Sequence, residues 1–171
     1  MGLRRGILAC LSLIAGSAAW AADPGASTGE PPLRYRLDAV TVTLLRQPGR
    51  GAFSIRRLTL PGHGQATLER DGAVHPFPYA PGELLALVNG LYRTRFFSLP
   101  DDCTARLSVV LKDDGTVVPS ILRLADAAST KVCFAVDGYE KCVTYAHDSL
   151  DGLEQIVQRA FADADRRTPH R

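Results

Sequence analysis

After residue 15 the chain has no long apolar run, and it holds a single methionine and a single tryptophan. A transmembrane helix needs about 20 consecutive apolar residues, so no membrane span is expected in the mature chain. Charge of one sign is also missing. The 20 basic and 18 acidic residues nearly cancel, whereas a nucleic-acid binder is usually basic overall, so no nucleic-acid partner is expected. Neither Cys-x-x-Cys nor His-x-x-x-His occurs, and zinc needs three or four ligands at recognisable spacing. His63 and His75 read as exposed residues near turns. Asp113-Asp114-Gly115 lacks the alternating oxygen ligands of a calcium loop and reads as a turn. Asp101-Asp102 is a second acidic doublet in a loop. Gly49-x-Gly51 and Gly62-x-Gly64 are not followed by a helix, as a phosphate loop would be. We therefore expect no metal and no cofactor. His147-Asp148-Ser149 is no triad, because triad members come from distant elements.

The start of the chain is more informative. Arg4 and Arg5 precede the apolar run Ile7 to Ala15, and Ala19-Trp20-Ala21-Ala22 follows. A charged start, a short apolar stretch and small residues form a secretory signal. Cleavage is expected after Ala21, with Ala22 the next choice. An uncleaved anchor, or lipidation at Cys10, would be alternatives, and each keeps the domain outside the cytoplasm. Removing residues 1–21 takes away Arg4 and Arg5 and no acid, leaving 18 residues of each sign. The mature protein should be periplasmic or secreted.

About 150 mature residues suit one domain with a real core. The Pro- and Gly-rich stretch from Asp23 to Pro32 reads as a flexible tether, giving a tether over 22–35 and a folded unit over 36–164. Residues 165–171 contain no large apolar residue and read as a disordered tail.

Val40, Val42 and Leu44 alternate with threonines, a half-buried strand pattern. A second strand is expected from Phe53 to Leu60 and a third at about 65–70. Asp71-Gly72 then offers a two-residue hairpin turn into Ala73 to Phe77. Pro76 and Pro78 confine that piece to an edge or a loop. Pro81-Gly82-Glu83 opens a helix whose apolar stripe is Leu84, Leu85, Leu87, Val88, Leu91 and Tyr92. Phe96, Phe97 and Leu99 pack its exit before Pro100. Two more hairpins follow, Arg106 to Leu124 turning at Asp113-Asp114-Gly115, and Thr130 to Tyr145 turning at Asp137-Gly138. Ser149 can cap a last helix lined by Leu150, Leu153, Ile156, Val157 and Phe161. The fold class is α+β: an antiparallel sheet of consecutive hairpins with two amphipathic helices packed on it.

Cys10 leaves with the signal, so Cys103, Cys133 and Cys142 remain. A two-residue turn at Asp137-Gly138 pairs Val136 with Tyr139 and, three steps out, Cys133 with Cys142. Pairs alternate between hydrogen-bonded and non-hydrogen-bonded outward from the turn, so the cysteines fall on a close, non-hydrogen-bonded pair. Its Cα separation of about 4.5 Å suits a disulfide, and an oxidising compartment favours one. Two reduced cysteines, or competition from Cys103, stay open. Cys103 reads as an inert thiol, with an intermolecular or nucleophilic role as the alternative.

Seventeen of the 20 basic residues are arginine. Arg46, Arg50, Arg56 and Arg57 lie on the first two strands and the loop between them. Together they form a candidate patch for an anionic partner, such as acidic envelope glycans or a carboxylate surface of a protein. The competing reading is a solvated sheet edge whose charges discourage aggregation.

Leu44-Leu45-Arg46, Gly49-Arg50-Gly51, Phe53-Ser54-Ile55, Phe96-Phe97-Ser98-Leu99 and Asp137-Gly138 to Val143-Thr144-Tyr145 look similar to a family of exported bacterial domains of unknown function. That family carries two cysteines in its first loop, and both are missing here, so any role they have does not carry over. The resemblance implies the α+β layout and no activity. The functional expectation is a non-enzymatic envelope module that binds a protein or an anionic glycan. The alternative is a small envelope enzyme whose groups (Cys103, His63, His75 or the Asp doublets) converge only in the fold.

Overall fold

The structure is a computed structural model that describes residues 30–49, 55–123, 127–146 and 149–168. The expected signal peptide, most of the tether, Arg50, Gly51, Phe53, Ser54, His147 and Asp148 lie outside these residues.

Alternation builds the sheet. In β1 (Thr41–Gln47), Val42 and Leu44 are buried and Thr41, Thr43 and Leu45 are half-buried. The same period runs through β2 (Arg56–Pro61), β3 (Gln65–Arg70), β8 (Ser129–Val136) and β9 (Tyr139–Ala146). Successive strand side chains point to opposite faces, so every strand offers one apolar face to the same layer. β4 (Ala73–Pro78) lies at one edge, where its prolines cost no central ladder bond. The sheet has seven strands in the order β4-β3-β2-β1-β8-β9-β5.

Two strands depart from the expected run of hairpins. β5 is only Asp102–Cys103 and pairs parallel to β9 at the other edge, so Cys103 is in a strand rather than a loop. The hairpin of β6 (Ala105–Leu111) and β7 (Val117–Arg123) does not join the sheet. It forms a separate two-stranded one.

Helices α1 (Pro81–Arg93) and α2 (Asp151–Arg167) bury the apolar face. Leu84, Leu87, Val88 and Leu91 of α1, and Leu153, Val157, Phe161 and Ala164 of α2, share one core with the inward strand residues. Leu85 and Tyr92, expected in the α1 stripe, are exposed, because they lie at the margin of a narrower buried arc. The helices run antiparallel. Glu83 near the start of α1 takes Arg167 near the end of α2, while Gly90 and Thr94 meet Ile156 and Gly152. Glu83 also accepts the Ala80 N–H at 2.7 Å, which satisfies an open donor at the helix start. Its carboxyl is held below its ordinary range by the hydrogen bond from Arg167.

Three local expectations change. Ser149 does not cap α2. Its hydroxyl donates to the Ala146 carbonyl at 2.8 Å, and the helix starts after Leu150. The helix continues to Arg167, and Thr168 is buried, so residues 165–168 belong to the fold and not to a disordered tail. At the front, Tyr35, expected within the flexible tether over 22–35, instead packs edge-on against Phe134 of the core, with ring centres 5.7 Å apart. The 3-10 turn Leu37–Ala39 follows it and lies so close to Gly62 that a Cβ there would stand 1.8 Å from the Leu37 carbonyl oxygen.

Candidate functional site

Following the buried alternation to the strand ends gives arginine. Val42 and Leu44 lead to Arg46, Leu60 and Leu58 to Arg56, and Ala66 and Leu68 to Arg70. Arg46 and Arg56 are register partners, and Arg46 faces Thr130, which faces Tyr145. One polar row thus crosses the inner face beneath α2.

The helix answers it with Glu154, Phe161, Asp165 and Thr168. Arg46 is ion-paired with Glu154. Tyr145 donates its phenol proton to the same carboxylate at 2.9 Å, and Gln158 donates to it at 3.0 Å. Burial and the Glu154 charge push the Tyr145 phenol well above its ordinary range. Arg56 and Arg70 share Asp165, at 2.6 and 3.1 Å, and Arg70 also donates to the Thr168 carbonyl. The Phe161 ring lies under two guanidinium groups, 5.2 Å from that of Arg46 and 4.9 Å from that of Arg56. With one end on a carboxylate and one face on the ring, each of these arginines leaves its Nε without a hydrogen-bond partner among the described residues.

Of the four arginines expected to form an anionic-partner patch, the three described ones do not share one surface. Arg46 and Arg56 hold carboxylates of the chain's own helix. Arg57 points to the opposite face, pairs with Glu69 at 3.2 Å and has a half-exposed side chain. Arg50 lies outside the described residues. The physical reason is parity: positions 46 and 56 continue the inward set of their strands.

The other polar candidates are spread over the molecule. His63 is exposed in the turn between β2 and β3, and His75 lies on β4. Cys103 lies on β5, at the far edge of the sheet from β4. Six strand spacings of about 4.8 Å put those edges roughly 29 Å apart. The Cys103 thiol is pushed up by burial and by Asp102 beside it, which keeps it protonated. Asp101 pairs with Lys141 at 2.5 Å. Cys133 and Cys142 are register partners, with Cα atoms 4.1 Å apart, and are joined by a disulfide. Cys133, Glu140 and Cys142 would group three metal-type ligands, but the disulfide removes both thiolates that a metal would need.

The described residues hold one large uncovered apolar surface, the β6–β7 hairpin. Its turn is well specified. Gly115 has φ +82°, and Asp114 accepts both the N–H (2.9 Å) and the hydroxyl (2.6 Å) of Thr116. Those bonds, the hydroxyl first, hold the Asp114 carboxyl below its ordinary range. The strands pair in register from Ala105↔Arg123 to Leu111↔Val117. On one face stand Val109, Leu111, Val117 and Ile121, which are 72, 71, 61 and 64 % exposed. Pro119, opposite Val109, is on the same face. Strands of seven residues make this arm about 24 Å long. An isolated two-stranded hairpin is only marginally stable in water, and this one shows solvent an apolar face without a charged residue between Val109 and Leu111 or between Val117 and Ile121. Large exposed apolar patches mark interaction surfaces.

The sequence pattern places a hairpin here and leaves open whether it joins the sheet. A partial signal was available, since Val109-Val110-Leu111 and Val117-Val118 are apolar on both faces, unlike the alternating strands of the main sheet. No family model, curated protein or solved structure matches the chain.

Proposed function

We propose that the protein is exported and works in the periplasm or outside the cell as a non-enzymatic docking module. Its β6–β7 hairpin lays its apolar face on an envelope protein. The observation that carries this reading is the face of Val109, Leu111, Val117 and Ile121, which nothing among the described residues covers. Burying four such side chains, each about two-thirds exposed, would supply roughly 4–8 kcal/mol before the costs of association. The disulfide between Cys133 and Cys142 fits an oxidising compartment. A protein surface suits the site better than an anionic glycan, because Arg46 and Arg56 already bind Glu154 and Asp165. The enzyme reading has less support, since His75 and Cys103 stand at opposite edges of the sheet.

The test is capture from envelope extract by mature protein and by a Val109→Asp, Ile121→Asp variant. The expected result is a set of bound proteins that the variant loses while its circular dichroism and melting curve match the wild type. Equal capture by both forms would remove the hairpin from the function.

A further inference from the structure

We infer that two copies of this chain pair through the free edge of β6, joining their hairpins into one four-stranded antiparallel sheet. This concerns the edge of the arm and stands apart from the docking of its face.

Hydrogen-bond parity shows which edge is free. Lys112 donates its N–H to the Thr116 carbonyl at 2.8 Å, so 112 and 116 form a hydrogen-bonded pair. Pairs alternate along an antiparallel ladder. The pairs 111/117 and 109/119 are then non-hydrogen-bonded, and their main-chain groups point away from the hairpin. On the β7 side one of those outward positions is Pro119, which has no N–H to offer. The β6 side has no proline between Ala105 and Leu111, so its outward donors and acceptors are complete. Among the described residues, β6 pairs with β7 alone. One edge of the arm is thus open to another strand and the other is blunted.

The sequence of β6 suits a copy of itself. A two-fold axis at Ser108 sets residues 105 and 107 opposite 111 and 109 of the second copy. These are the outward positions, so they form four hydrogen-bonded pairs, or about eight main-chain bonds at two per pair. The apolar faces of both arms then lie on the same side of the joined sheet. Pro119 blunts both outer edges of the result. Pairing therefore closes at two copies and does not propagate as a fibre. The contact, about 24 Å long and roughly 10 Å deep, is smaller than the ~800 Å² per partner of stable complexes. The pair should exchange, and its population should rise with protein concentration.

Cross-linking tests the register. Residue 108 falls on a non-hydrogen-bonded pair across the axis, with Cα atoms about 4.5 Å apart, a separation like that of Cys133 and Cys142. In a Cys103→Ser background, Ser108→Cys should oxidise to a covalent dimer. Ser120→Cys, its register partner on β7, should stay monomeric, being about 14 Å from its own copy at three strand spacings. Adding Val109→Pro to Ser108→Cys removes an outward N–H from each copy and leaves the bonds between β6 and β7 in place. It should slow cross-linking about tenfold or more. Sedimentation of the wild type should shift toward twice the monomer mass as concentration rises. Equal cross-linking at 108 and 120, or a wild type that stays monomeric at every concentration, would overturn the inference. If the face variant loses its partner but still dimerises, the two surfaces are separate. If it keeps its partner while cross-linking at 108 persists, the docking reading alone fails.

Discussion

Phe161 does the work of several residues at once. It is buried in the core while its ring carries two guanidinium groups that are themselves tied to Glu154 and Asp165 on the same helix. Removing the ring would leave a cavity and also take the support from under both arginines. Large-to-small changes at buried aromatics cost about 3–5 kcal/mol, and cation–π contacts about 0.5–2 kcal/mol each. We therefore expect Phe161→Ala to lower the free energy of unfolding by at least about 3 kcal/mol in urea titration. Leu85→Ala, on the exposed side of α1, should stay within about 0.5 kcal/mol. Equal effects would mean that the polar row does not anchor α2. The arginines also mark where sequence reading stops. Alternation from Val42 and Leu44 leads inward to Arg46, but a charged residue at a strand end invites an outward assignment. What resolves it is Glu154, Phe161, Asp165 and Thr168 on the helix, at intervals that keep them on one face, and their meeting with the strands depends on tertiary contact.

At the scale of elements, short-range chemistry was legible and long-range pairing was not. The turns at Asp71-Gly72 and Asp137-Gly138 set the register of β3 with β4 and of β8 with β9, because a two-residue turn leaves no freedom of pairing. β5 left no signal, since two residues carry no period. The separation of the β6–β7 hairpin left only a partial signal, the apolar residues on both of its faces, because local pattern does not say which edge a strand joins. The β8–β9 hairpin yields a test of its own. Its disulfide closes a short loop, with a sequence separation of 9, for which chain entropy gives about 2–3 kcal/mol. Cys133→Ala with Cys142→Ala should lower the melting temperature without loss of the fold, because Phe134 and Val136 still hold the register through the core. Non-reducing peptide mapping of the wild type should return the 133–142 link. A link from Cys103 to either residue would contradict the arrangement.

For the whole molecule, export makes the plainest forecast. Protein taken from the periplasmic fraction should have an intact mass that begins at Ala22 or Asp23, and retention of Met1 would refute the proposed location. The architecture closes late, since β1 lies between β2 and β8 and the polar row is completed only from α2. Arg56 waits for Asp165, 109 residues further along the chain. At 5–20 residues per second, synthesis of that stretch takes roughly 5–20 s. Until β8 is made one flank of β1 has no partner strand, and until α2 is made Arg46, Arg56 and Arg70 lack the carboxylates they hold in the fold. A chain whose last helix must arrive before the rest is locked is compatible with the proposed export as an extended polypeptide.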